Sequence, residues 1–482
     1  MVKDSKYEIV VGLEVHAQLL THSKLFSGDA SFFGAEPNTH ISAITLAHPG
    51  TLPRLNKKAV EYAIMMGLAC DCAITRYNYF ARKNYFYPDL PKGYQVSQHT
   101  TPICVGGFVH IITPAITREV TLNRIHLEED AGKSIHDVDP DKTVVDYNRA
   151  GVALIEIVTE PDIFSAEEAS AYLTELRKRL RYLNICDGNM EEGSMRCDAN
   201  ISIRLKGETT LGTKVEVKNL NSIKNVRRAI EHETERMIEI VENGGSIIQQ
   251  TRSFDATKGT TFSLRDKEEA NDYRYFPDPD LSPFIVTDEM IEELRKRIPA
   301  LPEQRVQKYV SEYGLSDYDA RVLTDEKDFS DYYNELTQNT GNYKAAANWL
   351  LGPVKAYLNE QGASIQDFPI RAMKLAELIA LVDTGKVNFS IASGRIFAEL
   401  IKLPDSDPLI IAGQMNLVQD SDESTVLAWV DEVLAKMPDK VTEYRKGKKG
   451  LIGLFVGEVK KVSKGKADPK LTNELLLRKL QA

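Results

Sequence analysis

The stretch Glu8-Ile-Val-Val-Gly-Leu-Glu-Val-His-Ala-Gln18 alternates in character with a period of two. Successive side chains of an extended strand point to opposite faces. Ile9, Val11, Leu13 and Val15 therefore share one face, and Gly12, Glu14, His16 and Gln18 share the other. Glu14 and His16 stand about 7 Å apart along such a strand, near enough to converge on one ion. A carboxylate oxygen and an imidazole nitrogen are both metal donors, and an oxygen-rich set favours Mg²⁺.

The same device recurs downstream. In Thr121–Glu129, Ile125, Leu127 and Glu129 are in phase, whereas Arg124, His126 and Glu128 face the other way. Glu156 is the only charge in the apolar run Ala153–Val158. A buried carboxylate without a partner costs several kcal/mol, so Glu156 needs a cation or a proton. Arg196, Asp198, Asn200, Ser202 and Arg204 fill one face of the next such run, and Lys214, Glu216 and Lys218 alternate with Val215 and Val217. Antiparallel sheets commonly have one wet face, which is the plain alternative for each strand taken singly. Composition favours a site: acids, histidines, Asn and bases share these faces, as a concave surface holding a metal and phosphates requires.

Residues 82–98, RKNYFYPDLPKGYQVSQ, admit two readings. Arg82, Lys83 and Lys92 can neutralise phosphates while Tyr85, Phe86, Tyr87 and Tyr94 stack on bases. The same residues equally describe a Pro-kinked loop packed by its aromatics. Standard nucleotide signatures are missing. Ala131-Gly132-Lys133-Ser134 ends like a phosphate-binding loop, but the first glycine of that motif falls at Leu127. A nucleotide site here is of an unusual kind.

The strand-rich character extends to about residue 290. Pro277, Pro279 and Pro283 then interrupt the chain, a short helix spans Asp288 to Ile298, and Pro299 and Pro302 mark entry to helical sequence. A further break lies at Leu403–Pro408. The expected fold class is α+β: a β-rich domain over 1–290, an all-α domain over 291–408 and a helical tail over 409–482. Within the first domain, Ser165-Ala-Glu-Glu168 has the form of a capping box opening a helix, and a second helix starts near Ser222 and stops at Asn243-Gly244-Gly245.

At 482 residues, 42% hydrophobic and 27% charged, the chain has the balance of a soluble globular protein. No run approaches the roughly 18 apolar residues of a membrane span, and the N-terminus has no secretory pattern. Five scattered cysteines argue for a reducing cytoplasm over a disulfide framework, and Cys70 and Cys72 read as buried thiols rather than a zinc site. From Lys440 onward, twelve Lys and Arg face four acids, a charge of +8 that leaves −18 on the remainder. Such an end, with Lys446, Lys448 and Lys449 at its centre, suits a polyanionic partner, although a solvated basic tail has the same composition.

Nine ordered runs carry a resemblance. GLEVHAQL, FGAEPN, RKNYFYPDLPKGYQVSQ, HLEEDAGKS, LIEIVTEPD, MEEGSMRCDANIS, TKVEVKNLNS, DYRYFPDPD and the tail GLFVGEVKKVSKGKADPKL resemble the B subunit of aspartyl/glutamyl-tRNA(Asn/Gln) amidotransferases. The resemblance implies a cradle domain followed by helical and tail domains that hold tRNA. It implies ATP-dependent phosphorylation of the side-chain carboxyl of Glu-tRNA(Gln) or Asp-tRNA(Asn), then amidation. The ammonia would come from glutamine by way of an amidase-type A subunit, with a small C subunit completing a heterotrimer. Carried over residue by residue, it implies a Mg²⁺ site at Glu14, His16, Glu129 and Glu156. Ser194, Arg196, Asp198, Asn200, Lys214, Glu216 and Lys218 fall in its motifs around the cradle. The cysteine zinc site of some members is not carried over. Two other classes compete: a noncatalytic tRNA-binding scaffold, which would show no ATP turnover, and a metal-dependent phosphohydrolase, indifferent to aminoacyl-tRNA.

Overall fold

In the computed structural model the opening stretch is strand β1 (Tyr7–Gln18), buried on one face at every second residue. The structure describes residues 6–139, 141–266, 273–418, 422–463 and 465–481. Lys464 of the basic tail and Asp272 of the DYRYFPDPD run lie outside them. The chain divides into two compact units, Met1–Leu301 and Pro302–Ala482.

The first unit is built on a sheet of 13 strands among the described residues. Its principal strands after β1 are β2 (Ala81–Asn84), β3 (Tyr94–Ser97), β4 (Thr117–Glu129) and β5 (Ala153–Thr159). Then follow β6 (Met195–Leu205), β7 (Val215–Leu220), β8 (Gln250–Asp255) and β9 (Thr260–Asp266). Their order across the sheet is β9-β8-β7-β6-β1-β5-β4-β3-β2. Neighbours are antiparallel except β7 and β8, which run parallel. A parallel pair needs a crossover, and the helix between them supplies it.

The back of the sheet is apolar. Val11, Leu13, Val15, Ile125, Leu127, Ile155, Ile157, Ala199, Ile201, Val215 and Val217 are all fully buried there. Three helices cover this core: α1 (Lys57–Ala69), α2 (Ala166–Tyr182) and α3 (Ile223–Glu242). Ser165 accepts the Glu168 amide at 3.0 Å, and the Glu168 carboxylate returns to the amide of Phe164 rather than to that of the cap residue. Ser222 accepts the Asn225 amide at 3.1 Å to start α3, which exits through Gly244 at φ +78°. A glycine adopts that left-handed conformation without the penalty a side chain incurs.

A fourth helix, α4 (Asp288–Arg297), moves the first boundary from 290 to 301. Ile291 and Leu294 bury in the sheet unit's core, and Arg297 bonds Glu61 of α1 at 3.1 Å. The second unit has one core around Tyr309, Trp349, Leu375 and Leu400, and another around Val426, Phe455 and Leu476. The expected break at 408 also moves. Ile411, Ala412 and Leu417 still belong to the first of these cores, because the helix Pro408–Gln414 turns its apolar face into it. The fold class is α+β, a mixed-sheet unit followed by an all-helical one.

Glu233 of α3 is fully buried and receives Arg236 at 2.7 Å and Arg252 of β8 at 3.0 Å, tying helix to sheet. Replacing it with Ala would strand both guanidinium groups against the core. We expect Glu233→Ala to destabilise the sheet unit by about 3–5 kcal/mol, read as lost hydrogen-exchange protection in α3.

Candidate active site on the polar sheet face

Strand pairing carries the front-face side chains into rows. His16 lies opposite Glu156 on one side and Arg196 on the other, and Glu156 lies opposite His126. One step along, Glu14 lies opposite Asp198; a further step sets Gly12 opposite Asn200, which in turn faces Glu216. Residues far apart in sequence therefore meet on one surface because β1 sits mid-sheet.

Two clusters result. In the first, His16 Nε2 stands 3.3 Å from Glu128 and 3.7 Å from Glu156, while His126 Nε2 stands 3.1 Å from Glu156. In the second, Glu14, Asp198 and Glu216 bring carboxylate oxygens within 4.8 Å of one another. Lys218 reaches both Asp198 and Glu216, the latter at 3.0 Å, and Asn200 donates to Glu14 at 2.9 Å. Each cluster offers three donor atoms within 4.8 Å of one another, a set that could hold a divalent cation whose remaining ligands are water or phosphate.

The electrostatics are those of a crowded acidic surface. Burial, then repulsion by Glu156, Asp198 and Glu216, pushes the Glu14 carboxyl above the ordinary carboxylate range, with Lys218 opposing. Burial would also raise Glu156, but His126, His16 and Lys83 outweigh it and hold that carboxyl well below the usual range. His126 is correspondingly raised to about 9: burial disfavours its charge, and Glu156 and Glu128 more than restore it. One lysine cannot neutralise three carboxylates, so the second cluster is short of positive charge.

Glu129 does not join these groups. It accepts the Val96 amide at 2.9 Å and pairs with Lys92 on the opposite side of β4. There it lines a separate cavity of about 270 Å³, together with Lys24, Arg82, Asp130 and Gly151. Adjacent residues of a strand point to opposite faces, so Glu128 takes the position expected of Glu129. His126 and Glu128 are site members that the strand pattern alone does not single out, although their phase puts them opposite Ile125 and Leu127. Only the pairing of Glu156 with His126 shows that this is the front.

The same alternation separates the other expected residues. Lys83 faces the cluster: burial lowers its ammonium, but Glu128, Tyr275 and Glu156 raise it on balance. Arg82 turns away, held by Asp278 and Asp280 at 2.8 Å each and lying 4.2 Å over the Tyr94 ring. Arg196 donates to Asp130 at 3.0 Å. Lys214 stands at the edge of a front-face cavity beside Glu14 and Asn200. Ser194 lies outside the clusters, its hydroxyl on Asp187 at 3.2 Å. Tyr85 packs against Tyr87 and Tyr273, whereas Phe86 is exposed. Cys70 and Cys72 are buried free thiols, the latter donating to the Gly106 carbonyl at 2.9 Å. In the second unit Lys446 ends the helix Pro438–Arg445, Lys448 pairs with Glu443 at 3.0 Å, and Lys449 lies 4.4 Å over the Tyr444 ring.

The sequence pattern described as the GatB/GatE catalytic domain matches residues 9–292, which contain every member of both clusters. The pattern described as the GatB domain matches 331–480. The chain is 49% identical to the B subunit of the aspartyl/glutamyl-tRNA(Asn/Gln) amidotransferase of Thermodesulfovibrio yellowstonii, over 99% of this chain and 100% of that one. Its counterpart of the same name in Caldicellulosiruptor saccharolyticus is also 49% identical, over 99% of each chain. That of Pelodictyon phaeoclathratiforme is 50% identical over 99% and 100%. The chain belongs to this family of amidotransferase B subunits. As a member it is a subunit of a tRNA-dependent amidotransferase, a ligase of translation.

Within this amidotransferase chain, the two neighbouring glutamates of β4 separate by a single comparison. Glu128→Gln should weaken Mn²⁺ affinity by roughly 10- to 100-fold, and Glu129→Gln should leave it within about twofold. Calorimetric titration of both variants checks this.

Proposed function

We propose that the front face binds ATP with Mg²⁺ and phosphorylates the side-chain carboxyl of a misacylated tRNA, Glu-tRNA(Gln) or Asp-tRNA(Asn). The carrying observation is the pair of three-donor clusters on adjacent rows, His16–Glu128–Glu156 and Glu14–Asp198–Glu216. The relatives' name supplies the substrates. In the reaction a carboxylate oxygen of the aminoacyl group attacks the γ-phosphorus and ADP leaves. Ammonia then attacks the acyl carbon, phosphate leaves, and a proton passes to solvent or phosphate.

Mg²⁺ held by these donors would neutralise phosphate charge and align the in-line attack. The excess of carboxylate over lysine in the second cluster fits a cation. Lys83 and Lys218 add fixed positive charge beside the two clusters. Arg196 is oriented by Asp130, which Gln18 also steadies at 2.9 Å. The nucleophile belongs to the substrate, so the chain supplies position and charge rather than a reacting side chain.

A cavity of about 290 Å³ continues from Glu14 along the same face, lined by Val10, Gly12, Val158, Pro161 and Leu211 with Lys214. Its apolar floor suits the nucleotide base, and Gly12 leaves the strand surface bare there. The ammonia comes from glutamine hydrolysed by an amidase-type A subunit, with a small C subunit completing the assembly. The basic tail, through Lys446, Lys448 and Lys449, contacts tRNA. No helix among the described residues is long and apolar enough to cross a membrane, in keeping with work in the cytoplasm.

In the assembled enzyme, Glu14→Ala and Glu156→Ala should each lower ATP-dependent amidation by on the order of a hundredfold or more, while glutamine hydrolysis persists. Unchanged amidation in both would sink this assignment. The raised Glu14 carboxyl adds a pH signature. Cation binding needs the carboxylate form. On acidification, affinity should therefore begin to fall above the range of an ordinary carboxylate, and in Glu14→Gln this early loss should vanish. Mn²⁺ titrations between about pH 8 and pH 5 follow it.

A further inference from the structure

The C-terminal end of α2, the loop after it and the start of α3 enclose a cleft of about 510 Å³ that the chemistry above does not use. Its walls include Arg177 and Arg181, one helical turn apart, with Asn189 and Asn221. Both arginines are half-buried. Nε of Arg177 is buried without a hydrogen-bond partner, and among the described residues no carboxylate lies within ion-pair distance of either guanidinium. A buried donor left unpaired carries a desolvation cost, greater when the group is charged, so Arg177 keeps hydrogen-bonding capacity that its own neighbours leave unused.

The acids nearby are otherwise engaged or turned to solvent. Asp187 accepts the Asn189 amide at 2.8 Å and the Ser194 hydroxyl at 3.2 Å. Glu191 also borders the cleft but is exposed and pairs with neither arginine. Asn221 and Ser222 bring the start of the 20-residue helix α3 to the same cleft, adding amide donors and a partial positive charge. Paired guanidinium groups are the usual recognition element for phosphate oxygens.

Its position selects the source of that phosphate. The lining loop runs directly into β6; Ser194, just before that strand, accepts the Gln18 amide on its carbonyl at 2.8 Å, and Arg196 enters the His16 row. Leu20, just past β1, donates to Ile185 of the same loop at 2.9 Å. The cleft thus flanks the end of the sheet at which the His16–Glu128–Glu156 cluster lies. A polynucleotide whose aminoacylated end reaches that cluster passes this rim.

We propose that the Arg177–Arg181 cleft binds a backbone phosphate of the substrate tRNA close to its aminoacylated end and so positions that end over the clusters. This rests on the tRNA-amidating reading above. In the assembled amidotransferase, Arg177→Gln/Arg181→Gln should raise KM for Glu-tRNA and its Kd roughly tenfold. The slope of log Kd against log salt should become shallower by about 1 for each phosphate no longer held. KM for ATP and for glutamine should not move. Asn221→Asp, which keeps the acceptor for Asn225 and adds a negative charge, should act in the same direction without touching the packing of Arg177. Unchanged tRNA affinity and salt slope in both variants overturns the proposal, as does a rise confined to KM for ATP, which would make the cleft a nucleotide phosphate site. The wild-type complex is the reference. If it fails to amidate, the functional reading itself fails; if it amidates and the variants match it, only the cleft assignment fails.

Discussion

The site depends on one geometric constraint: a strand that buries every second residue has no freedom over the residues between. Val11, Leu13 and Val15 are completely buried on the back of β1. Sliding β1 by one residue would drive Glu14 and His16 into the apolar core and expose those three, inverting both faces together. Hydrophobic burial against α1, α2 and α3 thus positions polar groups on the far side that contribute nothing to the core. The register of β1 with β5 and β6 brings Glu156, Asp198 and Asn200 to the same surface.

That surface is electrostatically costly. Five carboxylates, Glu14, Glu128, Glu156, Asp198 and Glu216, crowd one sheet face, with His16, His126, Lys83 and Lys218 among them. On the histidine side, Glu156 and Glu128 raise His126 while His126, His16 and Lys83 hold Glu156 low, so the groups there favour one another's charged forms. On the Glu14 side burial, reinforced by Glu156, Asp198 and Glu216 and opposed by Lys218, pushes the carboxyl upward. A face built for folding alone would replace such a group with Thr or Lys.

Much of this was legible in the sequence for a physical reason. Strand alternation is local, so the facing of Glu14, His16, Asp198, Asn200, Glu216 and Lys218 followed from a period of two. The caps at Ser165 and Ser222 and the helix before Pro302 are local as well. What alternation leaves open is which strand lies beside which. The apolar run around Glu156 shows a charge that needs a partner, but its partner His126 is a neighbour only through strand pairing. The resemblance implies Glu129 for the metal set, whereas pairing brings Glu128 to the His16–Glu156 row and leaves Glu129 on Lys92; alternation puts the two on opposite faces without saying which face is the front. The boundaries at 290 and 408 shifted because Ile291, Leu294 and Ile411 find their cores by tertiary packing.

Strand β4 shows what that packing achieves. Glu128 and Glu129 are consecutive, yet one belongs to the metal-type cluster and the other, paired with Lys92, to a cavity behind it. Asp130, next in line, lines that rear cavity while bonding Arg196 and Gln18 of the front rows. Three successive acids thus span a wall one strand thick. Any displacement of the end of β4 moves both compartments, because a peptide backbone cannot shift Glu129 and leave Glu128 in place. The positions of the metal-type cluster and of the rear cavity are in this way fixed by the same few residues of one strand.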